Sequence, residues 1–149
     1  MEMRDLYQDL ILDHGRHPRH QGKMLDATHA MEGDNPLCGD QLTVFLKVEN
    51  DKIAEASFTG HGCAISMAAT SLMLAFSRGK TLEQFQKIYQ VYHRQLTGDS
   101  LTDAEKEKLG KLAAFSGVAQ YPMRVKCATL CWHTMDSALK GLTESVSTE

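Results

Sequence analysis

The chain has no excess of positive charge, no long apolar run, no internal repeat and no closely spaced Cys-x-x-Cys pair. Each absence removes a class of function. Sixteen Lys and Arg against nineteen Asp and Glu leave a net charge of -3, without the basic face or stripe that binding to a nucleic-acid backbone requires. DNA and RNA are not expected partners. No stretch approaches the roughly 20 apolar residues that span a bilayer. The opening segment MEMRDLYQDLILDH interrupts its apolar positions with acids, unlike the continuous apolar core of a signal peptide. The expectation is a cytoplasmic protein with no membrane partner. In that compartment thiols stay reduced, so four cysteines point to metal binding or thiol chemistry, not to disulfides. What remains is ordinary globular composition, 42% hydrophobic and 23% charged. At 149 residues it is long enough for a single domain, residues 1–149, with its own core.

Hydrophobic periodicity divides the chain. Met3, Leu6, Tyr7, Leu10 and Ile11 recur at helical spacing, and Gly15 and Pro18 are expected to end that helix. From Gln41 the period changes to two, with Leu42, Val44, Leu46 and Val48 alternating with Thr43, Phe45 and Lys47. An Asn50-Asp51 turn then leads into a second strand over 52–59, giving a hairpin. A weaker strand signal lies within 27–33. Beyond Ala64 the helical period returns through Ile65, Ala68, Ala69, Leu72 and Phe76, and Gly79 is its stop. Thr81 with Gln84 and Thr102 with Glu105 read as capping boxes that open two further helices, a helical insert around 80–114. Pro122 starts a last helix with Val125, Ala128, Trp132, Met135 and Leu139 on one face. The tail 143–149 is expected to fray. This order predicts an α+β fold: a small antiparallel three-stranded sheet packed with helices.

Two of the cysteines stand where elements meet or begin, and a third lies within the last helix. In NPLCGDQ, Cys38 and Asp40 flank Gly39 on a turn, and glycine lets both side chains point at one centre. Cys63, in TGHGCAIS, opens a helix, and Cys127 lies in the last helix one turn before Cys131. Thiolates suit zinc or iron–sulfur centres, and a closed zinc site takes four ligands, the number that Cys38, Asp40, Cys63 and Cys127 supply. The competing reading is a set of scattered buried cysteines. Arg124 and Lys126 flank Cys127 and are either site or partner neighbours or simple surface charges. Cys131 reads as core packing and His61 as a solvated neighbour of the site, while His14, His17 and His20 suggest a metal tract but are assigned no site.

The segments NPLCGDQ, GHGCAISMAATSLM and RVKCATLCW are similar, in order and in local sequence, to the three cysteine motifs of the U-type iron–sulfur assembly proteins, the IscU, NifU N-terminal and SufU group. DHGRHPRHQG resembles that family's Asp-His-x-x-x-Pro-Arg segment, so the likeness runs from about Leu6 to Leu139. The resemblance implies the SufE/IscU-like fold. Two departures from the IscU type point to the SufU branch. Lys126 stands where IscU has a histidine before its third cysteine, and a protonated amine is a poor ligand. The segment between Cys63 and Cys127 is also longer by roughly a helix. Membership of that branch implies zinc held by Cys38, Asp40, Cys63 and Cys127, with Cys38 as acceptor of persulfide sulfur. It implies a SufS-type cysteine desulfurase and the SUF scaffold complex as partners. The protein would then be a sulfurtransferase acting with its desulfurase. Two rival expectations stand beside it: a scaffold for a [2Fe–2S] cluster, with iron in place of zinc, and a structural zinc module that only binds a partner. A zinc hydrolase or deaminase lacks its His-x-Glu and Pro-Cys-x-x-Cys signature.

Overall fold

The computed structural model describes residues 3–141 and 146–147, with side chains over 6–141. Its elements run α1 (Met3–Arg16), β1 (His29–Asn35), β2 (Asp40–Glu49), β3 (Lys52–His61), α2 (Ala64–Ser77), α3 (Leu82–Leu96), α4 (Asp103–Leu109), a 3₁₀ stretch (Gly110–Gln120), α5 (Pro122–Leu139) and β4 (Val146–Ser147). The α+β expectation and its three antiparallel strands stand, in the sheet order β3-β2-β1. The structure adds β4, a two-residue strand parallel to β1 through Gly33–Val146 and Asp34–Ser147. These two residues belong to the tail read as frayed; the rest of 142–149 lies outside the described residues.

The β2–β3 hairpin turns at Asn50 and Asp51, both with positive φ (52° and 60°), the conformation whose twist matches that of the flanking strands. Leu42, Val44 and Leu46 face the helices at period two. On β3 the inward positions are Ile53, Ala56 and Phe58, and the change of parity follows from the register shift opposite Lys47 and Val48. One extra residue in a strand moves every later side chain to the other face. Without that bulge Phe58, wholly buried, would point to solvent.

Helix α2 is the centre of the helical layer. All positions from Ser66 to Leu74 are buried, not only the stripe expected from periodicity. A helix covered on every side is one packed by several neighbours, and here these include α1, α5, β3 and the 3₁₀ stretch. Its small residues, Ser66, Ala68, Ala69, Thr70 and Ser71, let those neighbours approach closely. Gly15 illustrates the point and corrects its reading as a stop: α1 continues to Arg16. A Cβ on Gly15 would lie 2.9 Å from the Ala64 carbonyl oxygen, so this glycine serves the α1–α2 crossing.

Both capping boxes are present, at Thr81/Gln84 and Thr102/Glu105. Helix α3 stacks Phe85, Tyr89 and Tyr92 around Trp132 of α5, with ring centres 5.5, 5.9 and 4.7 Å away. Such aromatic pairs contribute about 0.5–1.5 kcal/mol each beyond their buried area. They fix the position of α5, and with it Cys127.

Candidate metal centre

Residues 35–38, Asn-Pro-Leu-Cys, form the turn from β1 into β2. The Cys38 N–H donates to the Asn35 carbonyl at 3.1 Å, and Gly39 takes a φ of +71° that costs other residues a Cβ clash. The chain enters β2 at Asp40, paired across the sheet with Asn35. Cys38 is left half-buried and Asp40 fully buried.

Cys63 lies just beyond the end of β3 and is the N-cap of α2. Its sulfur takes the place of the usual capping oxygen and accepts the Ser66 N–H at 3.4 Å. The positive end of the helix dipole favours negative charge at this sulfur. Its own N–H donates to Oδ1 of Asp40 at 2.8 Å. Gly62 permits that contact, since a Cβ there would stand 2.5 Å from the same oxygen.

Cys127 comes from α5 and is buried. The Asn35 side-chain amide donates to its sulfur at 3.6 Å, and the thiol reaches the Met123 carbonyl at the same distance. The donor atoms of Cys38, Asp40 and Cys127 lie within 4.8 Å of one another. Ligands on one tetrahedral zinc stand about 3.3–3.8 Å apart, so small side-chain rotations close the group. Cys63 falls outside that spacing but adjoins it through its N–H bond to Asp40, and Asp40 and Cys127 both influence its thiol.

The electrostatics are those of crowded acids. Burial, then hydrogen bonding in which the Cys127 thiol donates toward the sulfurs of Cys38 and Cys63, then the charges of Cys63 and Asp40, push the Cys127 thiol far above its ordinary value. Burial also raises Cys63, opposed by the Ser66 N–H. Oδ2 of Asp40 is buried without a hydrogen-bond partner among the described residues. Three thiols and a carboxylate, all anionic when deprotonated, with one orphaned buried oxygen, make a donor set suited to a thiophilic divalent cation. The donor set fits zinc: Cys38, Asp40 and Cys127 are grouped closely enough that they could hold such an ion, with Cys63 beside them.

The remaining expected neighbours divide. Arg124 is exposed, its guanidinium 5.6 Å from the Tyr121 ring centre, and Lys126 is half-buried. Neither is among the main influences on Cys127, which are burial and the neighbouring acids. Cys131 packs in the core, its thiol pushed up to about 12 by burial, and His61 is exposed at the end of β3. Sequence reasoning missed Asn35, whose side chain enters the site. It stands inside NPLCGDQ, but the local sequence carries no sign of a contact with Cys127, 92 positions away.

The NifU-like N-terminal domain model matches residues 6–128. The chain is 35% identical over 139 residues to the iron–sulfur cluster assembly scaffold protein IscU of Streptococcus pyogenes, covering 93% of this chain and 86% of that one. It is 34% identical over 134 residues to the zinc-dependent sulfurtransferase SufU of Bacillus subtilis, covering 90% and 89%. A crystal structure from Fervidobacterium islandicum, provisionally described as a SUF-system iron–sulfur cluster assembly scaffold protein, superposes with a TM-score of 0.83. It is 34% identical and covers 93% of this chain and 99% of that one. A NifU-like N-terminal domain from Brucella abortus, 17% identical with a TM-score of 0.77 over 93% and 94% of the two chains, shares the fold. The chain belongs to the NifU-like N-terminal domain family, among the IscU and SufU proteins of iron–sulfur cluster assembly.

Proposed function

We propose that this protein is a zinc-dependent sulfurtransferase of the cytoplasm that accepts persulfide sulfur on Cys38 from a SufS-type cysteine desulfurase and passes it to the SUF scaffold complex. The observation that carries the reading is the contrast among the sulfurs: Cys38 is half-buried on a turn, whereas Cys127 is buried in a helix. A turn can swing a ligand toward a partner; a helix-borne ligand must take its helix along. Bound zinc would keep the sulfurs as thiolates with no redox change of its own.

The Cys38 thiolate attacks the outer sulfur of the desulfurase persulfide. A new S–S bond forms at Cys38, the partner's S–S bond breaks, and its electron pair leaves with the partner cysteine as thiolate. A proton on the outer sulfur travels with it, so charge and oxidation level balance. Asp40, a carboxylate among thiolates, is the hard ligand of the set and holds zinc less firmly than a fourth sulfur, which favours ligand exchange. The partly exposed Cys38 speaks against a purely structural zinc module, whose site would be closed.

Several relatives carry the name of scaffold, at identities of 35% and 36% against 34% for the sulfurtransferase. A [2Fe–2S] scaffold would use the same thiolates. Protein purified without added metal separates the two by elemental analysis and absorption spectrum. Colourless protein holding zinc, with stimulation of a SufS-type desulfurase, supports transfer; brown protein holding iron and sulfide supports the scaffold.

A further inference from the structure

We propose that Asn35 is a positioning residue of the metal centre: its side-chain amide holds the Cys127 sulfur while its backbone shapes the turn that carries Cys38. The proposal rests on the zinc reading above. Asn35 ends β1 and is wholly buried. Three contacts meet there. Its carbonyl accepts the Cys38 N–H at 3.1 Å, its partner across the sheet is Asp40, and its Nδ2 donates to Sγ of Cys127, 92 positions along the chain, at 3.6 Å. One residue thus adjoins three members of the site. Cys63 is tied in separately, through Asp40.

The direction of the amide is informative. Nδ2 faces sulfur, and Oδ1 is buried with no partner among the described residues. A thiolate only accepts hydrogen bonds, so it selects this orientation; the flipped amide would set an oxygen lone pair against it. A buried acceptor without a donor lowers stability, and an apolar side chain of similar volume would pack here free of that cost. The amide is therefore suited to the sulfur and not to the stability of the core. Groups that hydrogen-bond a metal's ligands set ligand orientation and affinity. Held by a fixed donor, Cys127 is the ligand that stays, leaving exchange to Cys38 on its turn.

Asn35→Leu keeps the volume and removes the donor, whereas Asn35→Ser keeps a donor and loses volume. Zinc affinity, by competition with a chromophoric chelator, and the sulfur-to-cobalt charge-transfer band of Co²⁺-loaded protein are compared with wild type, with circular dichroism reporting the fold. Asn35→Leu is expected to weaken zinc about 10–100-fold and to shift the cobalt band, with Asn35→Ser between it and wild type. A packing role gives the reverse order. Asn35→Leu within about twofold of wild type, or Asn35→Ser weaker than Asn35→Leu, overturns the proposal. Should Asn35→Leu not fold, Asn35→Ala against Asn35→Ser decides, because they differ chiefly by the donor; equal zinc affinity and equal cobalt spectra would again overturn it. Wild-type protein that takes up no zinc defeats the transfer reading and this one together; zinc-loaded wild type with unchanged variants defeats this one alone.

Discussion

Oδ1 of Asp40 accepts the backbone N–H of Cys63 at 2.8 Å, while Oδ2 of the same carboxylate is buried without a partner among the described residues. The two oxygens have different tasks: one anchors the start of α2 beside the β1–β2 turn, and the other is available to a metal.

This division gives two distinguishable substitutions. Asp40→Asn can keep the acceptor for Cys63 but loses the anionic ligand, so it should stay folded and bind zinc at least about tenfold more weakly. Asp40→Ala also leaves the Cys63 N–H unpaired, a further loss of about 1–3 kcal/mol in stability. Chelator competition and thermal melts of both variants check the pair. Equal melting temperatures would mean that Oδ1 does not support the fold.

On the zinc reading the four proposed ligands come from three distant segments, so binding would close long loops and its free energy would become folding free energy. Removal of zinc with a chelator should lower the melting temperature, and adding zinc back should restore it. Stripped and loaded protein melting together would contradict the four-ligand assignment.

Gly62→Ala tests how tightly the site is built. The added Cβ would stand 2.5 Å from Oδ1 of Asp40, so the carboxylate or the Cys63 segment must move. The expected cost is about 1–3 kcal/mol of stability together with weaker zinc binding. A variant matching wild type in both would show that the segment before α2 adjusts freely.

Acid should destabilise the fold partly through His14. Its Nδ1 lies 2.7 Å from Oγ of Ser71, which also accepts the Arg19 N–H, and Arg19 pairs with Asp13. Burial, then the Arg19 charge, hold His14 below its ordinary value of 6.5. The neutral ring is the one the fold favours, so its contribution is complete above about pH 6.5 and is lost as pH falls through the folded value. His14→Gln should therefore melt lower than wild type at neutral pH, by about 1–3 kcal/mol, with a shallower decline on acidification. Parallel pH curves for the two proteins would remove His14 from this role.

The parts of this structure legible in the sequence are those set by neighbouring residues. The capping boxes depend on positions three apart, and the Asn50-Asp51 hairpin on its own turn chemistry. The packing role of Gly15 is not legible locally, because its requirement comes from Ala64, far along the chain. The all-round burial of α2 comes from neighbours on several sides, and the long 3₁₀ stretch after Gly110 has no periodic signature of its own. In the site, the motif residues Cys38, Asp40 and Cys127 do come together. The roles of Asn35 and of His14 appear only once β1 meets α5 and α1 meets α2.

The central claim is that Cys38 receives the sulfur. Cys38→Ser should fold, retain some zinc and abolish stimulation of the desulfurase. The most direct measurement uses wild-type protein, trapped after incubation with a SufS-type desulfurase and cysteine, with the additional sulfur located by peptide mass spectrometry. The account predicts a persulfide on the peptide carrying Cys38. A persulfide on Cys127 or Cys131 instead would contradict it, and would assign delivery of the nucleophile to α5.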